Sequence, residues 1–341
     1  MSGGVDSSVV AGLMAEQGHE VVGLTLQLYD GTAGRRGSCC AGRDIHDARA
    51  VADRLGIAHY VIDAQARFRS AVIQDFADSY ARGETPVPCV RCNMTVKFTD
   101  LLALAQDVGA DALATGHYVR RIDGPAGPEL HRAADPARDQ SWFLFATTAA
   151  QLAYTRFPLG DMPDKAAVRA HASRLGLAVA DKPDSQDICF VPDRDYAALV
   201  ERLRPDAAGA GELVTADGQV VGRHTGVARY TVGQNRGLGS ASFDGSVRQS
   251  VLAVDGPARR VVIGPRGAGV RRLALREVNW LIDPPDTIAC DIKLRAREVP
   301  HPAIIRGGTM VELPDPVLAA PGQGCVFYAG SRVLGGGFIQ A

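Results

Sequence analysis

The segment whose residues most clearly suggest a chemical role lies at the start of the chain and reads Ser2-Gly3-Gly4-Val5-Asp6-Ser7-Ser8. Small residues allow successive backbone N–H groups to face one anion, and a helix that begins at Val5 would direct its positive end at the same point. The string therefore predicts a phosphate site, in which Asp6 would need a cation or a ligand donor between itself and the phosphates. Because the Gly-Lys-Ser/Thr ending of a Walker A loop is missing, an ordinary Ser/Gly helix cap is the alternative interpretation.

A second set of reactive side chains consists of the seven cysteines, at positions 39, 40, 89, 92, 189, 290 and 325. They are too few for a disulfide scaffold in a chain of 341 residues, so they are interpreted as reactive thiols or as core residues. Cys89 and Cys92 lie in a Pro-bounded loop that runs into a predicted helix. They could form half of a zinc or iron–sulfur site completed by Cys39, Cys40 or Cys189, or a thioredoxin-type pair, or supply one thiol that pairs with a distant one. Cys189 by itself would be interpreted as a buried, inert thiol.

The charge distribution argues against a protein that coats nucleic acid through bulk positive charge, because the formal net charge is -1. Residues 256–310 nevertheless hold ten Arg or Lys against five Asp or Glu, a net charge of +5, which is either a solvated β-sheet face or a patch for an anionic partner. Lysine is scarce, with only four, at positions 97, 165, 182 and 293. No apolar run reaches the roughly 18 residues of a membrane span and no secretory pattern opens the sequence, so we expect a cytoplasmic protein without a membrane partner.

Helices and strands alternate through the first 205 residues, which predicts an α/β fold with a doubly wound parallel sheet. The apolar spacing predicts helices over 5–18, 44–56, 67–81 and 95–108, and strands over 21–29, 58–63 and 111–118. Beyond about residue 205, short β-branched runs separated by turns replace the helical periodicity. We therefore predict a nucleotide-binding and catalytic domain at 1–205, a small β-rich central module at 206–255, and a C-terminal β-barrel that contacts RNA at 256–341.

Motifs along the whole chain resemble those of the tRNA-specific 2-thiouridylases, the MnmA family, which belongs to the PP-loop ATP pyrophosphatases with an adenine nucleotide α-hydrolase-like fold. The motifs are SGGVDSS (2–8), PCVRCN (88–93) with Lys97-Phe98, ATGHYVR (114–120), RDQSWFL (138–144), LG with K and VR downstream (159–169), KPDSQDICF (182–190), GRHTG (222–226), YTVGQNRGLG (230–239) and the final GGGFI. Their order along the chain is that of the family.

The resemblance implies a tRNA-uridine 2-sulfurtransferase that acts on the wobble uridine of the tRNAs for Lys, Glu and Gln. ATP, with Mg2+, would adenylate the uridine O2, and a persulfide sulfur carried by Cys189 would displace AMP. Cys92 would then close a Cys92–Cys189 disulfide, and a cysteine desulfurase or a sulfur-relay protein would supply the persulfide. A thiol in the role of Cys92 should ionise readily, as is expected near a helix N-terminus.

The resemblance also implies binding residues, by motif position. ATP would be bound by Ser2, Gly3, Gly4, Val5, Asp6, Ser7 and Ser8, with Leu26 beside the adenine and Gly116 allowing close approach of the backbone. The tRNA contacts would be Arg138, Asp139, Gln140, Arg295 and Arg297. His117 is either part of this site or a satisfied core histidine, and no resident metal site is predicted.

Two departures from the family pattern affect this interpretation. Where many members carry Asn-Pro-Asp, this chain has Val87-Pro88-Cys89, so that no carboxylate occupies the place assigned to the target base. Another group must then act there, or Cys89 is an additional thiol, and an iron–sulfur cluster with Cys92 and Cys189 is the less favoured form of that idea. In the family a strand precedes the loop, and Met1 stands where its last residue would be; we expect upstream in-frame sequence to supply about five apolar residues.

Two other functions remain open from the residues alone. A PP-loop synthase or ligase that adenylates a small metabolite would use the loop, but it would leave the separated cysteines and the basic β segment without a role. An inactive RNA-binding homologue with a degenerate nucleotide fold would bind RNA without turning over ATP. AMP release that depends on tRNA distinguishes the thiouridylase from both.

Overall fold

The computed structural model describes residues 1–29, 42–184, 188–191, 195–265 and 269–340, and the chain divides into two compact units. The first unit comprises Met1–Ala71, Cys89–Pro192 and Ser331–Val333, and the second comprises Val72–Pro88, Asp193–Gly330 and Leu334–Ala341. Cys39 and Cys40, two of the candidate ligands, lie outside the described residues. Among the helices of the described ranges, none is both long enough and apolar enough to cross a membrane.

Most of the helical segments lie in the first unit. The α-helices are α1 (Val5–Glu16), α2 (Gly42–Leu55), α3 (Gln65–Phe68), α4 (Gln74–Ala81), α5 (Pro88–Cys92), α6 (Leu101–Asp107), α7 (Ala149–Tyr154), α8 (Lys165–Arg174) and α9 (Tyr196–Leu203). Two π-helical stretches, Arg69–Ile73 and Asn93–Asp100, join α3 to α4 and α5 to α6. The predicted helices over 67–81 and 95–108 are therefore present as parts of longer helical segments.

The strands are β1 (Val22–Gln27), β2 (Ala58–Asp63), β3 (Leu113–Ala114), β4 (Val119–Gly124), β5 (Gly127–Arg132), β6 (Thr155–Arg156), β7 (Ala208–Val214), β8 (Val220–Gly226), β9 (Phe243–Asp244), β10 (Val247–Asp255), β11 (Arg260–Pro265), β12 (Val270–Trp280), β13 (Thr287–Lys293), β14 (His301–Arg306), β15 (Met310–Val317), β16 (Gly324–Ala329) and β17 (Arg332–Ile339). In the first unit, β1 pairs with β2 and β3 pairs with β6, in both cases in parallel. The parallel pairing between alternating helices confirms the predicted α/β class.

Apolar residues of helix α1 fix its position in the first unit. Its valines, Val5, Val9 and Val10, pack in a core with residues of helix α8, among them Val168 and Ala172, which are fully buried. The helix ends at Glu16, two residues before Gly18, which has a φ of +83° and accepts the left-handed conformation that the predicted cap requires. The N-terminus of α1, which follows the glycine-rich string, is fixed by this packing.

Two local differences from the sequence prediction bear on the site. The strand predicted over 111–118 is only Leu113–Ala114, because the backbone that follows passes against the start of α1. The helix predicted from residue 95 begins at Pro88, because the fixed φ of proline suits the first helical position. Cys92 consequently lies inside a continuous helical segment that runs to Asp107, and not in the loop before it.

The second unit contains the β-rich part of the chain. A five-stranded sheet has the strand order β8-β7-β11-β10-β9, and strands β12 to β17 form a closed six-stranded barrel in which β12 pairs with both β15 and β17. The central module was expected to end at residue 255, whereas the sheet continues through Pro265, because β11 pairs with β7 and with β10. The barrel interior is apolar, with Ile292, Ile305 and Phe327 completely buried.

Candidate active site

The glycine-rich string forms a turn that runs alongside β1 and enters α1. The amino group of Met1 donates a hydrogen bond to the Leu24 carbonyl, and the Thr25 hydroxyl donates to the Met1 carbonyl at 2.6 Å. Gly3 has a φ of +67°, and a Cβ there would lie 2.2 Å from the Asp44 carbonyl oxygen, so only glycine fits. Gly4 is the N-cap residue of α1 and has no side chain with which to cap it. The first N–H groups of a twelve-residue helix therefore face the loop without a side-chain cap, which is the arrangement that binds anions.

Other residues predicted for nucleotide binding take different positions around this turn. A Cβ on Gly116 would lie 3.0 Å from the Ser7 nitrogen and 3.1 Å from the Asp6 backbone carbon, so Gly116 packs closely against the start of α1, and its approach to a nucleotide stays a prediction. The Ser7 and Ser8 hydroxyls donate to the Gly4 carbonyl at 3.3 and 2.8 Å, which closes the turn. Val5 is 2 % exposed and belongs to the core, so that only its backbone is available to a ligand.

Leu26 and Ser2 complete the predicted nucleotide set. Leu26 lies on β1 opposite Ile62 and is half-buried, and its place beside an adenine stays a prediction. The backbone N–H of Ser2 donates to the Ser7 hydroxyl oxygen at 3.0 Å, and the two hydroxyl groups are 3.1 Å apart. The two ends of the turn are thus held together by its own serines.

Asp6 is held by two groups that the sequence did not single out as site residues. Lys165 donates to both carboxylate oxygens of Asp6, at 2.7 and 2.9 Å, and the Tyr118 hydroxyl donates to one of them at 2.6 Å. Burial, followed by the hydrogen bond and the negative charge of Asp6, raises the pKa of Tyr118 above its usual range, so the phenol remains a donor. The repulsion expected between Asp6 and phosphates is thereby offset by a protein ammonium group.

Lys165 also reaches the segment that leads to Cys189. Its ammonium nitrogen lies 2.7 Å from one oxygen of Asp184, and the Arg138 guanidinium donates to the other oxygen at 2.7 Å. Desolvation by itself would raise the pKa of Asp184, but hydrogen bonds and charges from Lys165 and Arg138 outweigh it, and the pKa lies below its usual value. Asp184 is therefore a carboxylate held between Lys165 and Arg138, and the Arg169 guanidinium lies 3.9 Å from it.

A second lysine joins the glycine-rich turn to α2. Lys182 donates to the Gly3 carbonyl at 2.9 Å, to Asp44 at 2.6 Å and to Asp47 at 2.5 Å. These three acceptors match the three N–H donors of an ammonium group. Desolvation lowers the pKa of Lys182, but the bonds to the two carboxylates outweigh it and raise the pKa above its ordinary value.

The predicted RNA-contacting stretch 138–140 is largely engaged within the first unit. Asp139 accepts hydrogen bonds from the Ala133 N–H at 3.3 Å and from Ser141, whose N–H and hydroxyl lie at 3.1 and 3.0 Å. The Gln140 side-chain oxygen accepts from the Tyr118 N–H at 2.9 Å. Asp139 and Gln140 therefore stabilise the local backbone of this stretch. Arg138, with 37 % of its side chain exposed, is the residue of the three that presents a charge to solvent.

The two predicted catalytic cysteines lie in different surroundings. Cys92 is 7 % exposed, and its burial raises the pKa of the thiol, although the charge of Lys97 opposes the shift. The prediction of a readily ionised thiol is therefore wrong for this state of the protein, because the helix begins at Pro88 and carries Cys92 into the interior. Cys189 is half-buried in a turn, and the ring of the next residue, Phe190, lies 5.6 Å from that of Phe68 at a steep angle.

His117 has the character of a satisfied interior histidine. Its Nδ1 lies 2.9 Å from the Thr115 hydroxyl and its ring packs against Phe98 with centroids 5.9 Å apart. Desolvation, aided by the charge of Lys97, lowers the pKa of His117 to about 3. The imidazole is therefore neutral at physiological pH.

Arg295 and Arg297, the other predicted RNA contacts, belong to the second unit. Both are exposed and lie in the connection between β13 and β14. The backbone N–H of Arg295 donates to Glu298 at 2.9 Å, which shapes this connection. Their interaction with RNA phosphates stays a prediction.

The functional groups that sequence reasoning missed are chiefly Tyr118, Lys165, Lys182, Asp44 and Asp47. One signal was available, since lysine is rare in this chain and two of the four lysines contact the glycine-rich turn or its carboxylate. A third, Lys97, influences both Cys92 and His117. The partners of Lys165 and Lys182 in the glycine-rich turn and in α2 are 135 to 179 residues away in sequence, so no local pattern predicts these contacts.

Comparison with known proteins assigns domain families to the three parts of the chain. Residues 1–193 match the tRNA methyl transferase HUP domain, residues 198–264 the tRNA methyl transferase PRC-barrel domain, and residues 270–339 the aminomethyltransferase beta-barrel domain. Among solved structures, the U34-tRNA thiolase NcsA from Methanococcus maripaludis with its [4Fe-4S] cluster is similar over 60% of this chain and 64% of that chain, with a TM-score of 0.36 and 17% identity.

Full-length relatives are much more similar. The tRNA-specific 2-thiouridylase MnmA of Acidiphilium cryptum is 68% identical over 99% of this chain and 98% of its own length. The protein of the same name from Gluconobacter oxydans is 61% identical over 100% of this chain and 98% of its own length. The domain descriptions mention methyl transfer, but identity of this degree over the entire length decides the family. This chain belongs to the MnmA family of tRNA-specific 2-thiouridylases.

Proposed function

We propose that this protein synthesises 2-thiouridine at the wobble position of the tRNAs for Lys, Glu and Gln. In the first step the uridine O2 attacks the α-phosphate of ATP, pyrophosphate leaves, and the oxygen becomes part of an adenylate leaving group. In the second step the terminal sulfur of a Cys189 persulfide attacks C2 and AMP departs with the oxygen. The Cys92 thiolate then attacks the Cys189 sulfur, which forms a Cys92–Cys189 disulfide and releases the thiolated uridine. A thiol reductant and a persulfide donor, such as a cysteine desulfurase or a sulfur-relay protein, restore the enzyme.

The observation that carries this proposal is the glycine-rich turn and its surroundings. Backbone N–H groups at the start of α1, the close approach of Gly116 and the ammonium of Lys165 converge on one place, which suits the phosphates of ATP. The same ammonium contacts Asp184, five residues before Cys189. Nucleotide binding and the proposed sulfur carrier are therefore served by neighbouring groups.

Magnesium would accompany ATP and be held mainly by the phosphates. The Asp6 carboxylate, on the glycine-rich turn, would contribute a protein ligand. Among the described residues, no group of three or more His, Cys, Asp or Glu side chains is placed to hold a metal ion. One carboxylate together with phosphate oxygens is a common form of magnesium binding. The same finding gives no support to a cluster on Cys89, Cys92 and Cys189 within the described ranges. Iron and acid-labile sulfide in anaerobically purified protein measure that alternative directly.

The buried state of Cys92 has a chemical consequence for the order of steps. A thiol whose pKa is raised is mostly protonated at neutral pH and is a poor nucleophile. Lys97 favours the thiolate, so a change in solvation on substrate binding would increase its reactivity. The Cys92 thiol would thus be protected from reaction until the tRNA is bound. The reaction would take place in the cytoplasm, where both substrates occur.

The test separates adenylation from sulfur transfer. Purified protein is incubated with tRNA, ATP, Mg2+ and a persulfide donor, AMP is quantified, and 2-thiouridine is measured by mass spectrometry of tRNA digests. Cys189→Ser should still form the adenylate, detected by pyrophosphate release with tRNA, but should make no 2-thiouridine, and Cys92→Ser should fail to release the product. Cys290→Ser, in the second unit, is the matched control and should behave as the unaltered protein. Full thiolation by Cys189→Ser would overturn the persulfide assignment.

A further inference from the structure

The peptide group between Gly3 and Gly4 is the part of the glycine-rich turn whose direction the sequence of the turn leaves open. The peptide bond is trans, so its carbonyl and its N–H point in opposite directions. Gly3 has a φ of +67° and Gly4 a φ of -95°, and glycine adopts either sign readily. Turning this peptide over would give Gly4 a positive φ, as in the change from a type I to a type II turn. Two adjacent glycines therefore permit both orientations.

Lys182 fixes one of these two orientations. Its ammonium group donates to the Gly3 carbonyl at 2.9 Å, and Asp44 and Asp47 hold the same group at 2.6 and 2.5 Å. Because the Gly3 carbonyl points towards Lys182, the Gly4 N–H points away from it. In the opposite orientation the N–H would face the ammonium group, and the hydrogen bond from Lys182 would be lost.

The backbone of Lys182 is itself held in place within the first unit. Its N–H donates to the Val179 carbonyl at 3.1 Å, and its carbonyl accepts a hydrogen bond from the Arg169 guanidinium at 2.9 Å. Arg169 belongs to α8, and Val179 is buried in the core that also contains valines of α1. The ammonium group therefore extends from a fixed part of the backbone to the turn.

The direction of the Gly4 N–H matters for an anion at the start of α1. Gly4 is the N-cap residue, so its N–H adjoins the N–H groups of the first helical turn. Directed at the anion, it adds one donor for a phosphate, whereas a carbonyl oxygen in the same place would repel the phosphate. The carboxylates of Asp44 and Asp47 lie on the side of the Gly3 carbonyl. A phosphate avoids both of them on the opposite side, to which the Gly4 N–H points.

We propose that Lys182 is a positioning residue that selects the orientation of the Gly3–Gly4 peptide in which the Gly4 N–H faces the phosphates of ATP. This inference rests on the proposed function, because it concerns nucleotide binding at the glycine-rich turn. Lys182 itself touches no phosphate in this scheme, which separates its role from that of Lys165. Without the ammonium group both orientations would be populated, and the affinity for ATP would fall with the fraction that is competent to bind.

Calorimetric titration with ATP tests the proposal without relying on turnover. Lys182→Met should weaken binding about tenfold or more, the effect of losing one hydrogen bond to a charged group. Gly4→Ala supplies a discriminating background, because alanine accepts the present φ of -95° and resists the positive φ of the other orientation. A Cβ at Gly4 would be in ordinary contact with the Ser2 hydroxyl oxygen, at 3.6 Å. In the Gly4→Ala background, Lys182→Met should cost no more than about twofold, whatever the affinity of Gly4→Ala itself.

A second pair of variants separates peptide orientation from charge. Adding Asp47→Asn to Lys182→Met restores the net charge of the cluster but supplies no donor to the Gly3 carbonyl, so ATP binding should stay weak. Arg174→Met, which breaks the exposed ion pair of α8 with Glu16 of α1, is the matched control and should bind ATP as the unaltered protein does. Lys182→Gln serves if Lys182→Met does not fold.

Three results would overturn the proposal: unchanged ATP binding in Lys182→Met, an equal loss in the Gly4→Ala background, or recovery of binding through Asp47→Asn. The proposed function is tested separately by mass spectrometry of tRNA digests. The expected pattern of ATP binding in a protein that makes no 2-thiouridine would refute the proposed function alone.

Discussion

Replacement of Gly3 by alanine should damage the glycine-rich turn far more than the same change at a glycine of identical conformation. Gly3 and Gly56 both have a φ of +67°, but a Cβ at Gly3 would lie 2.2 Å from the Asp44 carbonyl oxygen, whereas no atom lies within 4 Å of a Cβ at Gly56. Left-handed strain costs alanine about 1–2 kcal/mol at either position. At Gly3 the loop must also move by roughly 1 Å relative to α2, and overpacking of this kind costs about 1–3 kcal/mol. The expected losses are about 2–5 kcal/mol for Gly3→Ala and about 1–2 kcal/mol for Gly56→Ala.

The assay requires a signal from the first unit alone. Of the two tryptophans, Trp142 is buried in the first unit and Trp280 packs against the core of the second. In a Trp280→Phe background, urea unfolding followed by fluorescence therefore reports on Trp142. Calorimetric titration with ATP adds the functional measurement, in which Gly3→Ala should weaken binding about tenfold or more, equivalent to about 1.4 kcal/mol, and Gly56→Ala should not. Equal loss of stability in the two variants would refute the crowding argument, since they would then share only the strain.

Two further predictions concern His117 and Arg295. Because the pKa of His117 is lowered to about 3 from an unfolded value near 6.5, the unfolded state binds the extra proton between these limits, and stability should fall by about 1.4 kcal/mol for each pH unit below about 6.5. His117→Gln should lose this part of the slope in urea unfolding between pH 4.5 and 7, and an unchanged slope would show that another group titrates. Arg295→Ala should weaken tRNA binding equally for all substrates and reduce the slope of log K against log salt by about 1. Arg306→Ala, whose guanidinium pairs with Glu312, is its control in filter binding, and an equal effect of both changes would contradict a specific phosphate contact.

Local sequence patterns predicted the helices and strands that position the site. They failed where contacts between residues distant in sequence determine the structure. Periodicity predicted the helix after the glycine-rich turn, whereas the nucleotide role of Gly116 followed only from its position in a family motif. The start of α5 was placed too late, although Pro88 is a known signal for the first helical position, because the apolar pattern becomes regular only later. That single shift moves Cys92 from the predicted loop before the helix into a buried position within the helical segment.

The ion pairs of the site show why the remainder was not predictable from one sequence. Lys165 meets Asp6 across 159 residues, and Lys182 meets Asp44 across 138 residues. Nothing in the neighbourhood of either lysine specifies which carboxylate it will find. Only the rarity of lysine marked them, and rarity identifies a residue without identifying its partner.

The division of the chain into discontinuous segments has a consequence for the integrity of the molecule. Ser331–Val333 belongs to the first unit, where the Arg132 N–H donates to the Ser331 carbonyl and Arg332 pairs with Glu129 at 2.9 Å, while Val72–Pro88 belongs to the second. A protease that cleaves the backbone after residue 192 would therefore not separate the two units, because each of the two resulting fragments contains segments of both units. If the gene were split at the same place, each fragment would lack a segment of the unit that it mainly encodes. Neither half would therefore fold as an independent, exchangeable domain.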